Sequence, residues 1–457
     1  MKLQERDDLP PAVSQDDKIV AWIEKNVGGV VETLERQSRW RGGLWVDVRR
    51  NGELLKLYVR EERKEDFPPY PLEHEASLLQ LLERHGIPAP HVYGVCNDPH
   101  AIIMEKVRGE TSFAAMTDEA ERLSVLNHYA EILAKMHAID PAELAALGHI
   151  KMPVGDAEIA MPGFEACVAL YSKGRTRPDP RLEFFRKWIY RNIPKGRDKV
   201  SIISVDAGQL LHENGRVTAL FDFEYGALGD PMIDIGYVAR RGSLEGMGNL
   251  KPFLTRYAEL TGATYDPELF AFHSIWWDMV TPHIVTPALH APPADSNYYD
   301  YMGWYTVSVY AALETLADLK GMTLEGGFEV QKEAPTRWAE IFDVLAARLQ
   351  AGGPDQPYEL REQAYFVEFA KRLNKYTDIE AEYIGDVERL VGRPVGDWRE
   401  ADRVLEEFVL QAGPEHDEAL IRLFYRWCLA QISAFLHDFV YSPVGFPRRQ
   451  TYRELLA

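Results

Sequence analysis

Alternating apolar and polar positions mark the N-terminal part of the chain as a small sheet with helices beside it. The segments GGLWVDVRR (42–50) and ELLKLYVRE (53–61) alternate on either side of Asn51-Gly52, a dipeptide that favours a two-residue hairpin turn. The proline-bounded PHVYGVC and the apolar AIIMEKV predict two more strands. Helical spacing in DDKIVAWIEKNVGG and PLEHEASLLQLLERHG, both of which end at glycine, predicts two helices.

From residue 109 onward the pattern becomes mainly helical. RLSVLNHYAEILAKMHAI and RLEFFRKWIYRNI place apolar residues at intervals of three and four. AGGPDQP (351–357) has the composition of a linker, and three further amphipathic segments follow it: YELREQAYFVEFAKRLNKY, DIEAEYIGDVERLVG and EALIRLFYRWCLAQISAFLHDFV. The pattern therefore predicts an N-terminal lobe (1–107), a larger helical lobe (108–352) and a C-terminal helical domain (353–457), through which the chain is expected to form a homodimer.

Charge and composition limit the kinds of partner. The net charge of −20, from 71 acidic and 51 basic residues, argues against a nucleic acid or an anionic membrane as the main partner. An anionic ligand would need a local basic or Mg²⁺-bearing pocket. Three cysteines in 457 residues predict no disulfide framework, and the sequence has neither a secretion signal nor an apolar run of membrane-spanning length. A cytoplasmic location is therefore expected.

The candidate chemistry lies in ISVDAGQLLHENGRVTALFDFEYGALGDP (203–231). One carboxylate, Asp206, lies on a glycine-containing loop, a hairpin follows, and a second carboxylate, Asp222, lies between two phenylalanines. The chain has no G-x-x-x-x-G-K-[ST] loop, G-x-G-x-x-G fingerprint, H-E-x-x-H helix or G-x-S-x-G elbow. Any nucleotide chemistry must therefore use another device.

The order of the remaining features resembles that of a protein kinase. A glycine turn (Gly42, Gly43) precedes a strand with two cations, a helix with a glutamate, an apolar strand and the two carboxylates. Three segments carry a family resemblance: YPLEHEASLLQLLERHGIPAPHVYGVCNDPHAIIMEKVRGE, ILAKMHAID and GRVTALFDFEYGALGDPMIDIG. Through them the chain resembles the aminoglycoside phosphotransferase and choline kinase-like superfamily over Val31 to Gly352. The resemblance implies an α+β, protein-kinase-like two-lobed fold: a small N-lobe with an antiparallel sheet and a helix, then a mainly helical C-lobe. The C-terminal helical bundle is an addition to it.

The resemblance also implies an ATP site with Mg²⁺. Adenine would lie against the apolar strand, Arg60 or Lys56 would hold the α- and β-phosphates, and Glu75 would orient that cation. Asp222 matches the position that binds Mg²⁺. The residues implied to bind the nucleotide are Lys56, Arg60, Glu75, Met104, Glu105 and Val107.

The catalytic loop departs from the family pattern, in which His-Gly-Asp precedes a metal-binding Asn. If GQLL is aligned with the family's GNLL, Gln209 replaces that Asn as a metal ligand. Counting back five residues then places Ser204 at the position of the catalytic Asp, with Ile202 and Ile203 in place of His-Gly. A loop two residues shorter places Asp206 in the catalytic role instead. Asp206 is preferred, and Ser204 stays open as the alternative.

Three functions remain open at this point. The first is an ATP- and Mg²⁺-dependent phosphotransferase that acts on a hydroxyl group of a small molecule. Its acceptor would contact the aromatic-rich segment from His273 to Tyr310, so an aromatic or apolar acceptor is expected. The second is a degenerate kinase fold that binds a nucleotide or metabolite without transferring phosphate. The third is the same fold used for a different reaction.

Overall fold

The computed structural model describes residues 14–37, 41–63, 69–293, 296–325, 339–350, 358–373, 379–436 and 451–457. Its N-terminal lobe is a five-stranded antiparallel sheet in the order β1-β2-β3-β5-β4, accompanied by two helices. The elements of this lobe are α1 (Gln15–Asn26), β1 (Val30–Arg36), β2 (Gly43–Arg50), β3 (Glu53–Glu61), α2 (Leu72–Arg84), β4 (Val92–Asn97) and β5 (His100–Glu105).

The hairpin between β2 and β3 forms where the sequence predicts it. Asn51 and Gly52 both have positive φ angles, 53° and 85°, and Arg50 pairs with Glu53, as in a two-residue turn of the kind that Asn-Gly favours. Alternate side chains of both strands face α1 and form one buried cluster with it. Its members include Ile19, Ile23, Leu44, Val46, Val48, Leu57 and Val59.

The larger lobe is mainly helical, with two short two-stranded sheets, β6-β9 and β7-β8. Its elements are α3 (Glu119–His137), α4 (Pro141–Ala145), α5 (Gly155–Ala160), α6 (Phe164–Gly174), α7 (Pro180–Arg191), β6 (Ser201–Ile203), β7 (Leu210–Glu213), β8 (Arg216–Leu220), β9 (Ala227–Gly229), α8 (Met232–Glu245), α9 (Lys251–Thr261), α10 (Pro267–Asp278), α11 (Val280–His290) and α12 (Tyr298–Lys320). The two small sheets bracket the loops that carry Asp206 and Asp222.

The C-terminal region is helical, as predicted. Its elements are α13 (Ala339–Gln350), α14 (Tyr358–Leu373), α15 (Ile379–Val391), α16 (Trp398–Gln411), a 3₁₀ turn (Pro414–His416), α17 (Asp417–Phe435) and α18 (Tyr452–Leu456). The proposed linker 351–357 lies outside the described residues, so the predicted domain boundaries stay predictions. Among the described helices, none combines the length and the apolar character that crossing a membrane requires.

The C-terminal helices share a core with the larger lobe. Leu405 of α16 and Phe424 and Cys428 of α17 belong to the same buried cluster as Phe164 and Phe185 of α6 and α7. The rings of Phe184 and Phe424 lie 5.7 Å apart. Helices α15 to α17 are therefore part of the packing of the larger lobe.

Candidate active site

A buried ion pair joins the sheet to helix α2. Arg60, near the end of β3, donates from Nε to Oε2 of Glu75 at 2.9 Å, and both side chains are almost fully buried. Burial raises the pKa of Glu75, although the charge of Arg60 opposes this effect. Lys56 lies on the same strand but is exposed. The structure therefore brings Arg60, and not Lys56, together with Glu75.

Asp222 lies on the other side of Arg60. Its Oδ1 accepts a hydrogen bond from Nη2 of Arg60, so one guanidinium links the helix glutamate to this aspartate. Burial tends to raise the pKa of Asp222, but the charges of Arg60, Arg41 and Arg63 outweigh burial and hold it below its ordinary value. The carboxylate is therefore ionised at neutral pH.

Two further arginines, Arg41 and Arg63, lie close to Arg60 and bind the same carboxylate, Glu224. Arg41, beside the glycine turn, donates to Oε2 of Glu224 at 2.8 Å and to the backbone oxygen of Glu61 at 2.9 Å. Arg63 also binds Glu224. With Arg60 these arginines bring three cations to the site, and Glu75, Asp222 and Glu224 balance them. An anionic ligand would therefore need an accompanying cation such as Mg²⁺.

Asp206 lies beside Asp222 and is connected to it through Gln209. The amide nitrogen of Gln209 donates to Oδ2 of Asp206 at 2.6 Å and to Oδ2 of Asp222 at 2.8 Å. The other oxygen of Asp206 accepts from Arg241 on α8, which also binds Glu245 at 2.7 Å. In this arrangement the nitrogen of Gln209 faces the carboxylates, so its oxygen could bind a metal there only after the amide turned over.

Backbone strain is concentrated at the same two loops. Val205 has a φ angle of 65°, a left-handed conformation that is unusual for a β-branched residue, and Asp222 has a φ angle of 64°, which aspartate adopts more readily. The other described non-glycine residues with positive φ, Asn51 and Asn214, are asparagines in hairpin turns. Strained conformations of this kind persist where the surrounding contacts enforce them, and they cluster at functional sites.

The contacts that enforce this loop come from Asp234, in the first turn of α8. Its fully buried carboxylate accepts hydrogen bonds from the backbone N–H groups of Ser204 at 2.9 Å and Val205 at 2.8 Å, and from Nε2 of His137 at 3.1 Å. Ser204 is itself buried, and its hydroxyl has no hydrogen-bond partner among the described residues. The structure thus places Asp206, and not Ser204, beside Gln209 and Asp222.

Replacing Asp234 by Ala is expected to lower the free energy of unfolding by about 3 kcal/mol, because two buried backbone donors and His137 lose their acceptor. Urea denaturation measures this change. Asp118→Ala is the matched control, since it removes a carboxylate that caps α3 at an exposed position, and it is expected to cost about 1 kcal/mol. Equal losses in the two variants would contradict the positioning role of Asp234.

Strand β5, which the family resemblance implies lies against the adenine, is buried at Met104 and exposed at its last residue, Glu105. The ammonium of Lys106 lies 3.6 Å from the ring centroid of Trp45, across the sheet. Val107 is partly buried, and its backbone N–H has no hydrogen-bond partner within the described part of the chain.

A cavity of about 240 Å³ opens beside Asp206 and Asp222. Part of the aromatic-rich segment lines it, through Trp277 of α10 and Trp304 of α12. Trp276, by contrast, is fully buried in the core. The remaining walls include Tyr225, Tyr237, Arg240, Arg241, Asp278 and Thr281. The lining of the cavity thus combines aromatic rings with both acidic and basic side chains.

The two carboxylates fit a site for a hard divalent cation. Mg²⁺ typically takes one or two protein carboxylates and completes its shell with water and substrate phosphates. Asp222 is ionised and is hydrogen-bonded to Arg60, and the side-chain amide of Gln209 connects it to Asp206. Among the described residues, no three His, Cys, Asp or Glu side chains are grouped to hold a metal by themselves. The arrangement therefore suits an ion that arrives with a ligand.

Several site residues were not identified from the sequence. Arg41 is adjacent to the glycine turn, and Glu224 follows Asp222 by two residues, so both lie next to motifs that were identified. Arg241 reaches the loop from α8, which is separated from it by about thirty residues and carries no local signal of this contact. Asp230, just before Pro231 at the start of α8, accepts a hydrogen bond from the N–H of Met232 at 2.9 Å.

Comparisons with known proteins bear on the family and the fold of this chain. Residues 48–270 match the profile of the phosphotransferase enzyme family. No protein of curated function matches the sequence. A solved structure assigned as an aminoglycoside phosphotransferase, from Ralstonia eutropha, is 19% identical and has a TM-score of 0.51, covering 67% of this chain and 99% of that one. At this identity the similarity establishes the fold, and the predicted two-lobed α+β architecture is confirmed.

Two further solved structures are similar with lower scores. A macrolide 2′-phosphotransferase from Brachybacterium faecium is 16% identical, with a TM-score of 0.43 over 61% of this chain and 100% of that one. A thermostable aminoglycoside phosphotransferase mutant, in ternary complex with AMP-PNP and hygromycin B, is 16% identical, with a TM-score of 0.43 over 66% and 99%. These two add nothing to the argument on fold.

Proposed function

We propose, from the match of residues 48–270 to the profile of the phosphotransferase enzyme family, that the protein transfers the γ-phosphoryl group of ATP, with Mg²⁺, to a hydroxyl group of a small molecule. The resemblance of its motifs to the aminoglycoside phosphotransferase and choline kinase-like superfamily is confirmed by this match. The observation that carries the proposal is the pair of carboxylates, Asp206 and Asp222, joined by Gln209 and facing the Arg60–Glu75 ion pair.

The phosphate side of the reaction falls to Arg60 and Asp222. Glu75 holds Arg60 in place, so its guanidinium is preorganised to bind phosphate oxygens. Asp222 offers a fixed carboxylate to Mg²⁺, which would replace the donors Arg60 and Gln209 at its oxygens. When bound, Mg²⁺ offsets the negative charge that builds up on the phosphoryl oxygens.

The acceptor side falls to Asp206. A carboxylate offers about four lone-pair positions, and Arg241 and Gln209 use one position on each oxygen. A further position therefore remains for the hydroxyl group of an acceptor, whose proton Asp206 would take as phosphate is transferred. Arg241 and Gln209 act as positioning residues for this carboxylate.

The acceptor would occupy the cavity beside Asp206. Trp277, Trp304 and Tyr237 offer apolar surface, while Arg240 and Asp278, paired at 3.3 Å, offer polar contacts. This lining supports an acceptor with an apolar or aromatic part next to its hydroxyl group. The adenine would bind just beyond the C-terminal end of β5, where the N–H of Val107 is available as a donor.

Mg·ATP is expected to raise the Tm of the protein by a few degrees. Binding to the folded state stabilises it by about 2.7 kcal/mol when ATP is at roughly 100 times its Kd. Differential scanning fluorimetry measures the shift, and Lys56→Gln should retain it because Lys56 is exposed and outside the ion-pair cluster. The double variant Arg60→Gln with Glu75→Gln removes the pair without leaving a lone buried charge, and it should abolish the shift.

A folded wild-type protein with no shift in Mg·ATP would refute the proposed function. Loss of the shift in Lys56→Gln with retention in the double variant would show that the phosphate-binding cation was assigned to the wrong residue.

A second candidate function is nucleotide binding without transfer. It is favoured by one observation: the two oxygens of Asp206 are both engaged by protein donors, and the amide oxygen of Gln209 faces away from the carboxylates. In that case Mg·ATP would stabilise the protein, but no ADP would form with a panel of alcohols, sugars and amino alcohols. ADP release that depends on one acceptor would exclude this candidate.

A further inference from the structure

A second cavity, of about 320 Å³, lies where the C-terminal helices meet the larger lobe. Its walls come from residues 177–181 at the start of α7, from α11 and α12, and from α15, α16 and α17. None of its lining residues lines the cavity beside Asp206. Only residues 177–181 of this wall fall within the segment matched by the family profile.

Aromatic rings form much of this second cavity. Tyr383 and Trp427 are stacked, with centroids 4.7 Å apart and planes inclined by 26°. Tyr305 of α12 and Trp398 of α16 also line it. Ring faces on several sides suit a flat ligand, because such a ligand can stack on or between them.

Two arginines line the same cavity, and both lie near aromatic faces. The Cζ atom of Arg181 lies 4.8 Å from the centroid of Tyr305, and that of Arg177 lies 5.8 Å from the centroid of Trp398. Arg181 also donates to Oε1 of Gln431 at 3.0 Å. Within the described ranges, neither guanidinium lies within 4 Å of a carboxylate oxygen, unlike the arginines around Asp222.

The carboxylates that line this cavity are engaged elsewhere or lie at its edge. Both oxygens of Asp179 accept from the hydroxyl of Tyr305, at 2.8 and 2.7 Å. Asp402 accepts from Tyr383 at 2.6 Å, and burial raises its pKa to about 6. Glu380 is exposed, and burial lowers the pKa of His290 to about 4, which keeps this imidazole neutral. The guanidinium groups of Arg177 and Arg181 therefore retain N–H donors that could bind an anionic ligand.

We propose that this cavity binds a small planar anion: an aromatic ring carrying one carboxylate or phosphate group. The ring would stack against Trp398 or Trp427, and the anionic group would accept hydrogen bonds from Arg177 and Arg181, whose planar forks match carboxylate and phosphate oxygens. A volume of about 320 Å³ is in the range of small-molecule sites. The bound ligand would connect the start of α7 with α15, α16 and α17.

The test is isothermal titration calorimetry on the full chain with benzoate and with phenyl phosphate as probes, and with benzyl alcohol as the neutral control. At least one anionic probe should bind saturably and benzyl alcohol should not. The tighter of the two anions tells whether the site prefers carboxylate or phosphate. Arg181→Gln and Arg177→Gln should each raise the Kd by about tenfold or more, since each loses a charge-assisted hydrogen bond.

Two controls and one robust test variant make the result decisive. Arg403→Gln removes an exposed arginine from the same helix as Trp398 but outside the cavity, and it should leave the Kd unchanged. Asp222→Asn should also leave it unchanged, so this test is independent of whether the cleft binds ATP. Arg177 is exposed, so Arg177→Gln decides the matter even if Arg181→Gln fails to fold. No saturable binding of either anion, or an unchanged Kd in Arg177→Gln, would overturn the proposal.

Discussion

Replacing Asp206 by Asn is expected to lower kcat for phosphoryl transfer by about 10³-fold, within the range that general acid–base groups contribute. Asparagine keeps the size of the side chain, and its amide oxygen can still accept a hydrogen bond from Arg241, but it cannot take a proton from the acceptor hydroxyl. KM for ATP should change little, because Asp222 and Arg60 are untouched. Steady-state ADP release with an acceptor that supports turnover measures both constants.

Ser204→Ala is the matched control for this variant. An alignment of the loop without a deletion would place Ser204 at the catalytic position. In the structure, however, the Ser204 hydroxyl is buried and has no hydrogen-bond partner among the described residues. Its kcat should equal that of the wild type. A large loss in Ser204→Ala with full activity in Asp206→Asn would reverse the assignment.

Replacing Asp222 by Asn is expected to have an equally large effect through a different step. The variant loses the negative charge that would hold Mg²⁺, and metal contributions to phosphoryl transfer amount to several kcal/mol, or about 10³-fold in kcat. Unlike Asp206→Asn, it should also lose the stabilisation by Mg·ATP. Fluorimetry and ADP release on the two variants together separate the binding role from the proton-transfer role.

Asp278→Asn provides the control for charge. Asp278 lines the same cavity and pairs with a buried arginine, Arg240, at 3.3 Å, but it does not contact Gln209. It should retain the Mg·ATP shift. If Asp222→Asn also retained a full shift, the metal-binding assignment would be wrong; if both variants lost it, the effect would belong to the cavity as a whole.

The sequence predicted the N-terminal lobe well because its signals are local. The hairpin at Asn51-Gly52 and the strands around it follow from alternation and turn chemistry alone. The choice between Lys56 and Arg60 could not be made in this way. Residues four apart on a strand point to the same face, so the alternation fits both equally. The position of α2, which places Glu75 against Arg60, decides between them.

The contacts that shape the loop carrying Asp206 could not be predicted, because they connect distant segments. Asp234 binds backbone groups 29 and 30 residues away, and Arg41 reaches Glu224 across 183 residues. Helix α16 was missed altogether, although its sequence WREADRVLEEFVLQ has helical spacing. No local pattern showed that α16 and α17 would complete the core of the larger lobe.

That shared core has a consequence for how the protein is made. Phe424 and Cys428 of α17 pack in one cluster with Phe164 and Cys167 of α6, more than two hundred residues earlier. During translation, the core of the larger lobe therefore stays incomplete until residues 417–435 leave the ribosome. Nascent chains that stall before this point would display the unfilled aromatic surface around Phe184, which makes them clients for chaperones and prone to aggregation.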